Sequence, residues 1–375
     1  MITPARTFAT EPSAAAVAAA ADRVAHWLLH GPAQLQEGPH AGAVAGSLQA
    51  GMPPNYVYAE TTGYYLQWLA WRARCNGNAR SLAPRAQAAH DWLQRWSASA
   101  SPNTRVYLRD TTDDWRNRTA FTFDIAMALR GIGSATAQGL LHPSQDVVGR
   151  LGAQLLGLID DDGLFRACLD RPGTSIPQRW STRRGGFLAK AAAGVLRAAE
   201  QLDGIPGEIT QAATKTWAAS LGWATDTPHE DVHPLLYTYE GVLSLADHES
   251  VIEVLPTLID RFDALLREVS RETRIPETRG HANGPERLDI VAQALRVNEL
   301  LPGRGNPPFA SRAVVAALRS RLAQSVRDDG AIPFALGTEP AQLNVWTAMF
   351  ASQALEGMRG AAVAAMRTAD DPLLV

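Results

Sequence analysis

The chain has 375 residues, a hydrophobic fraction of 46% and a formal net charge of −3. These values are typical of a globular protein, and the near-neutral charge gives no broad positive field, so nucleic acid is not an expected partner. The two cysteines, Cys75 and Cys168, lie outside any CxxC or CxH spacing and indicate neither a zinc site nor a redox site. We therefore expect no metal and no cofactor.

The N-terminal 30 residues have no basic segment followed by an apolar core, because Asp22 and Arg23 interrupt the alanine run. This pattern predicts an amphipathic first helix near residues 12–30 and not a signal peptide. No window reaches the ~18 uninterrupted apolar residues that a membrane-spanning helix needs. We expect a cytoplasmic protein in which residues 1–10 and 367–375 are flexible tails.

Runs rich in small residues recur along the chain at intervals of roughly 50 to 65 residues. They begin at Tyr58, Phe121, Arg183, Leu236, Arg287 and Asn344. Amphipathic segments alternate with them, at 81–99, 142–159, 207–223, 250–270 and 311–326, with apolar residues near i, i+3, i+4 and i+7. The pattern predicts six helical hairpins, with small-residue helices inside and amphipathic helices outside. Strand signals are few, and the best lies at 104–110.

This organisation resembles the six-hairpin (α/α)6-toroid superfamily, which holds glycoside hydrolases, unsaturated-uronyl hydrolases, polysaccharide lyases and sugar epimerases. The resemblance covers nearly the whole chain. It is carried by the six repeats, by the turns DDDGLF at 160–165 and DDGAIPF at 328–334, and by a carboxylate at the start of several inner helices. It implies an all-α fold in one toroid domain over residues 1–375, with short loops or minor β-structure at one rim.

Four carboxylates take corresponding positions if the repeats are equivalent: Glu60, Asp124, Glu240 and Asp289. A carboxylate at a helix N-terminus can simply cap the helix, because it accepts hydrogen bonds from free N–H groups. Four of them on neighbouring inner helices would instead converge on one mouth of the toroid, where ligand sites are common. We predict that they are the catalytic residues.

Aromatic side chains near the inner-helix entrances suit a sugar, because flat rings pack on pyranose C–H faces while hydroxyl and indole N–H groups form hydrogen bonds. The candidates for substrate binding are Tyr58, Tyr64, Trp115, Trp180, Tyr237 and Trp346. Any one of them could equally be a core residue. Trp115 and Trp180 fall in predicted loops, which favours a role at a site.

The third repeat has arginines in place of the carboxylate. Arg183 and Arg184 would present planar donors to a sugar carboxylate, sulfate or phosphate, or would form an ion pair with Asp124 or Asp113. His233 and His281 precede the carboxylates of the next two repeats. His233 and Glu240 are two helical turns apart and would share a face if that helix begins early.

Hydrolysis of a glycosidic bond in a neutral or anionic oligosaccharide or polysaccharide is the first functional hypothesis. Two of the four carboxylates would act as acid and base. A uronate lyase or sugar epimerase is an alternative, with His233, Tyr237 and Arg184 as its active groups. A non-catalytic glycan-binding or polysaccharide-assembly protein is another. A terpenoid-cyclase-like enzyme is the weakest, since DTTDDW at 110–115 only loosely matches an acidic DxDD motif.

Overall fold

The computed structural model describes residues 13–99, 102–109, 112–170, 175–226, 231–245, 248–272, 274–281, 284–301, 309–338 and 340–357. Twelve α-helices and six short strands lie within these ranges. None of the described helices combines the length and apolar character needed to cross a membrane. The two predicted tails lie outside the described residues.

The helices alternate between an inner and an outer ring, as the sequence predicts. The inner helices are α2 (Ala59–Asn76), α4 (Thr122–Ala137), α6 (Leu188–Gln201), α8 (Val232–Leu243), α10 (Leu288–Leu300) and α12 (Val345–Glu356). The outer helices are α1 (Ala14–His30), α3 (Ala79–Ser97), α5 (Gln145–Leu156), α7 (Gly207–Asp226), α9 (Glu249–Glu272) and α11 (Phe309–Gln324). Each inner helix packs on the next, and α12 packs on α2, so the inner ring is closed.

The inner helices are buried on all sides, which small side chains make possible. In α4 every residue from Thr122 to Ala135 is buried. Where α2 crosses α4, a Cβ placed on Gly131 would lie 2.2 Å from the carbonyl oxygen of Gly63. The two backbones therefore approach so closely that only glycine fits. The outer helices instead bury one face, as expected for an amphipathic helix at a protein surface.

Short strands lie at the end of the toroid where the inner helices begin. A four-stranded antiparallel sheet has the order β3 (Arg105–Tyr107), β2 (Tyr56–Tyr58), β1 (Ala45–Gln49) and β6 (Gln342–Asn344). A second sheet pairs β4 (Thr119–Phe121) with β5 (Cys168–Asp170). Since β2, β4 and β6 run directly into α2, α4 and α12, the sheets hold the starts of these helices in place. The predicted strand signal at 104–110 is confirmed in β3.

Candidate active site

Five of the six inner helices begin directly after a residue in extended conformation. The starts of the helices surround a cavity of about 180 Å³. The residues that line it are Tyr58, Glu60, Arg105, Arg116, Phe121, Phe123, Asp124, Trp180, Ser181, Phe187, His233, Tyr237, Arg287 and Trp346. Seven of the fourteen predicted site residues are among them. Of the four carboxylates predicted to converge at one mouth, Glu60 and Asp124 line the cavity, whereas Glu240 and Asp289 do not.

Two of the predicted carboxylates lie side by side in this cavity. Glu60 is near the start of α2 and Asp124 near the start of α4, and the two helices pack together. The Tyr58 hydroxyl donates a hydrogen bond to Asp124 Oδ1 at 3.0 Å, and the Glu60 carboxyl lies close enough for its charge to act on both Tyr58 and Asp124. Two buried carboxyl groups this close together favour a pair that holds one proton, because a second negative charge beside the first is unfavourable.

Burial favours the protonated form of this pair. It raises the pKa of Asp124 well above the ordinary range, and the neighbouring Glu60 charge raises it further. Burial also raises the pKa of Glu60. Asp124 Oδ2 is buried and has no hydrogen-bond partner within the described residues, which is unusual for a native carboxyl oxygen. The pair can therefore keep a proton at a pH where exposed carboxyl groups are ionised, and donate it to a bound molecule.

Two arginines line the cavity wall next to the carboxyl pair, and sequence analysis missed both as site residues. Arg105 lies opposite Tyr58 in the ladder of β2 and β3, and its guanidinium group lies 4.6 Å from the centre of the Tyr56 ring. Arg116 lies in a single 3₁₀ turn, Trp115–Arg118. Both donate to one carboxylate, Asp114, through Nη1 at 3.3 Å and 3.2 Å respectively.

The opposite wall of the ring carries His233, the second residue of α8. Its Nδ1 lies 2.6 Å from Gln293 Oε1, while Gln293 Nε2 donates to Glu240 Oε2 at 3.4 Å. Because an ionised carboxylate only accepts, Glu240 orients the amide so that its oxygen faces His233. The proton then resides on Nδ1, and Nε2 is left with its lone pair. Burial, with the charge of Arg287, lowers the pKa of His233 to about 4, so the ring is a neutral base at pH 7.

Asp289 lies beside this wall but does not line the cavity. It accepts two hydrogen bonds from Arg287, at 3.1 Å and 2.7 Å, and one from Trp346 Nε1 at 3.4 Å. Burial alone would raise the pKa of Asp289, but the Arg287 charge outweighs it and holds the pKa below its ordinary value. Asp289 is thus an ionised group that fixes two cavity-lining side chains, Arg287 and Trp346.

Glu240 is not at the mouth of the toroid, and the predicted position is wrong. Helix α8 begins at Val232, four residues before the predicted run at Leu236, so His233 takes the place at the helix start. Glu240 is two turns deeper, fully buried, and pairs with Lys190 Nζ at 2.7 Å and with Arg296. Burial alone would raise its pKa, but Arg296 and Lys190 hold the pKa below its ordinary value. The early helix start does put His233 and Glu240 on one face, as the sequence predicts.

Some of the predicted aromatic residues line the wall of the cavity, and Tyr64 lies beneath it. Trp180, Tyr237 and Trp346 line the cavity, and the Tyr237 ring lies 4.4 Å from the His233 ring. Tyr64 is fully buried beneath them, and its hydroxyl donates to the Tyr237 hydroxyl at 3.3 Å. Burial raises the pKa of both tyrosines well above the ordinary value, so both hydroxyls stay protonated.

Four other predicted residues do not line the cavity. The Trp115 and Phe121 rings pack edge to face, with their centres 6.0 Å apart. The Arg116 guanidinium group lies 4.6 Å from the centre of the Trp115 ring. Trp115 therefore supports the cavity wall from behind. Arg183 and His281 are exposed.

Arg184 forms ion pairs with Asp160 and Asp162. These partners differ from the predicted Asp124 and Asp113, because the DDDGLF turn lies nearer to Arg184 than the cavity does. Asp113 pairs instead with Arg118. The anion-binding role predicted for Arg183 and Arg184 therefore has no support at this cavity.

Several residues of the site could not be identified from the sequence as site residues. Gln293 and Lys190 lie inside helical runs and look like ordinary polar interruptions. Arg105 lay in a predicted strand, where its pairing with Tyr58 depends on which strands meet. Across the described residues, no three His, Cys, Asp or Glu side chains are grouped so that they could hold a metal ion.

Comparison with protein-family models and with curated protein sequences gives no match. Solved structures match most of the chain. A D-mannose isomerase is 12% identical, covering 93% of this chain and 100% of its own, with a TM-score of 0.66. A sugar epimerase from a ruminal bacterium is 9% identical, covering 91% and 99%, with a TM-score of 0.67. A glycosidase variant in complex with glucose is 15% identical, covering 93% and 98%, with a TM-score of 0.61. At these identities the likeness concerns the fold alone, and the chain has the six-hairpin (α/α)6-toroid fold that its sequence predicts.

Proposed function

We propose that this protein is a carbohydrate-active enzyme that hydrolyses the glycosidic bond of a terminal sugar unit. The observation that carries the proposal is the pair of neighbouring carboxyl groups at the cavity wall, Glu60 and Asp124, with the Tyr58 hydroxyl donating to Asp124. The four predicted carboxylates are thereby narrowed to two, because Glu240 and Asp289 are engaged in buried ion pairs.

The chemistry needs one carboxyl group that is protonated and one that is ionised. The protonated member of the pair gives its proton to the leaving glycosidic oxygen as the bond from that oxygen to the anomeric carbon breaks. The ionised member stabilises the positive charge that develops at the anomeric carbon. Water then forms the new bond to this carbon and gives up a proton to the pair, which returns to its singly protonated state. Crowding of two carboxyl groups in a poorly solvated site keeps the first proton in place, since a second negative charge beside the first is unfavourable. Asp124 Oδ2, which lacks a hydrogen-bond partner within the described residues, can carry the proton of the pair.

The size and lining of the cavity favour a single sugar ring. Its volume of about 180 Å³ is below the ~300–1,000 Å³ of pockets that hold drug-sized ligands. Trp180, Tyr237 and Trp346 offer ring faces and polar edges of the kind that bind pyranoses. The likeness in fold to a glycosidase in complex with glucose agrees with a sugar substrate.

The test is hydrolysis of a panel of aryl glycosides and oligosaccharides, neutral and uronate-containing, by the wild type, Glu60→Gln and Asp124→Asn. Each variant is expected to lose ~100-fold or more in kcat/KM, the usual contribution of a general acid. Glu253→Gln, an exposed change on the outer helix α9, is the matched control and should behave as wild type. Full activity of both cavity variants, with helical content unchanged by circular dichroism, would contradict the proposal.

Removal of the proton from a carbon next to a sugar carbonyl is the second candidate. An isomerase returns the proton to the neighbouring carbon, and an epimerase returns it to the opposite face of the same carbon. Proton removal is favoured by His233, a neutral base at the cavity wall whose Nε2 keeps its lone pair. The readout is deuterium incorporation at C2 of free sugars in D2O, followed by NMR. His233→Asn should abolish incorporation, while His281→Asn, exposed and outside the cavity, should leave it unchanged.

Wild type that binds sugars but neither cleaves nor exchanges them would favour the binding-protein alternative.

A further inference from the structure

The charges on the two walls of the cavity are balanced differently. On the wall made by β3 and the 3₁₀ turn, Arg105 and Arg116 form ion pairs with a single carboxylate, Asp114, as far as the described residues go. On the opposite wall, Arg287 alone pairs with two carboxylates, Asp289 and Glu277. The wall with the two arginines, the positive wall, has one ion-pair partner for two cations among the described residues, and the singly protonated pair of Glu60 and Asp124 lies next to it.

The two guanidinium groups on the positive wall are held in place before any ligand arrives. Asp114 accepts from the backbone N–H of Arg116 at 3.0 Å and from the Tyr107 hydroxyl at 3.0 Å, in addition to the two guanidinium groups. These contacts outweigh its burial and hold the pKa of Asp114 below the ordinary value, so it stays ionised. Arg105 is also stacked on the Tyr56 ring and Arg116 on the Trp115 ring.

Each arginine uses Nη1 for Asp114 and keeps further N–H groups for another acceptor. Arg105 Nε is buried and has no hydrogen-bond partner in the described part of the chain. Both arginines line the cavity, and their charges act on Asp124, so an acceptor bound there would lie close to the carboxyl pair.

We propose that the sugar unit bound in this cavity carries an anionic oxyacid group, which Arg105 and Arg116 bind. The inference rests on the proposed function in that it takes the same cavity as the sugar site. A carboxylate, a phosphate ester and a sulfate ester share the required chemistry, because each offers two or three oxygens to planar N–H donors.

The experiment is isothermal titration of the full chain with three probes: D-glucose, D-glucuronate and D-glucose 6-phosphate. One of the two anionic sugars is expected to bind about tenfold or more tightly than glucose. This difference in affinity corresponds to the free energy of about one hydrogen bond to a charged group. The difference should shrink as NaCl is raised, because salt screens a partly exposed charge pair. Whichever anion binds more tightly distinguishes a uronate from a phosphorylated sugar.

Arg116→Gln should remove the preference for the anion and change the affinity for glucose by less than about twofold. Arg118→Gln is the matched control, since Arg118 lies in the same 3₁₀ turn, pairs with Asp113 and does not line the cavity. Arg116→Lys is the second variant, and it should keep part of the preference because the charge remains while the planar donor pair is lost.

Equal binding of all three probes by wild type would overturn the inference, as would an equal loss for glucose and the anion in Arg116→Gln. Hydrolysis of neutral glycosides without any anion preference would refute this inference and leave the proposed function standing. Failure of every probe to bind, together with no turnover of any glycoside, would count against both.

Discussion

The buried cluster below the cavity has two cations and one anion. Glu240 accepts hydrogen bonds from Lys190 and Arg296, and all three side chains are at most 5% exposed. Glu240→Gln keeps the shape of the side chain and removes the charge. The amide nitrogen would then face donors, and the two cations would lose the carboxylate that balances them.

Removal of one partner from a buried ion pair typically costs ~3–5 kcal/mol, and we expect Glu240→Gln to lower the free energy of unfolding by about this amount at pH 7. Lys190→Met should cost less. It leaves the pair of Arg296 and Glu240 intact, and the methionine packs among the rings of Tyr64, Tyr237 and Phe350 that now surround Lys190 at 4.6 to 5.3 Å.

The loss should depend on pH in a defined direction. Burial lowers the pKa of Lys190 to about 8 from an ordinary 10.5, against the pull of Glu240. The folded protein therefore releases this proton before the unfolded chain does, and wild-type stability rises as pH increases from about 8 towards 10.5. Without the Glu240 charge the Lys190 pKa is lower still, so in the variant this rise begins at lower pH. The difference between wild type and variant should narrow as the pH approaches 8 and stay constant above it, because Arg296 remains charged.

Urea unfolding at pH 6, 7, 8 and 9, followed by far-ultraviolet circular dichroism, measures these differences. Lys190→Met serves as the comparison, because it removes a cation from the same cluster. If Glu240→Gln cost less than Lys190→Met at pH 7, or if its deficit widened with pH, the account of Glu240 as the anion that balances two buried cations would be refuted.

Three further outcomes are expected. Because the carboxyl pair of Glu60 and Asp124 needs one protonated and one ionised member, the pH–rate profile of hydrolytic kcat/KM should be bell-shaped. The value should fall as pH rises through the raised pKa of the pair, and it should also fall at low pH, where both members are protonated. Gly63→Ala should destabilise the fold by ~3 kcal/mol in urea unfolding, because the new Cβ would lie 2.4 Å from a carbonyl oxygen of α4. Gly222→Ala should instead stabilise the fold by up to ~1 kcal/mol, because its Cβ would meet nothing within 4 Å and alanine favours a helix over glycine. Trp180→Ala should raise KM for the sugar several-fold with a smaller change in kcat, because it removes ~0.5–1.5 kcal/mol of aromatic contact that does not take part in the chemistry.

The fold could be predicted from the sequence because both rings leave a strong pattern. The inner helices are buried on all sides, so they need small residues. The outer helices are buried on one side, so their apolar residues recur with the period of the α-helix. The predicted glycine turns are also confirmed, as Gly163 and Gly330 have φ values of 74° and 86°. Both patterns are local in the sequence, so they can be recognised without knowledge of any tertiary contact.

The site could be predicted only in part, because its members depend on the exact residue at which each inner helix begins. Glu60 and Asp124 are near the starts of α2 and α4 and were placed correctly. In α8, matching one carboxylate to another displaced the predicted site position by about two turns, so that Glu240 was given the place that His233 holds. Arg105 and Arg116 are brought to the cavity by strand pairing and by a shared carboxylate, and neither is a repeating feature of the chain.

The position that faces the cavity is better defined by backbone conformation than by residue type. An extended residue precedes five inner helices, and the second helical residue that follows it is Glu60, Phe123, His233, Asp289 or Trp346. Four of these five line the cavity, and Asp289 binds two residues that do. In α6 the preceding residue, Phe187, is helical, and Gly186 packs against Thr238, so this helix contributes no polar group at its start. The chemical variety of the site, with acid, base and aromatic side chains at one structural position, therefore follows from six similar hairpins whose first turns differ in sequence.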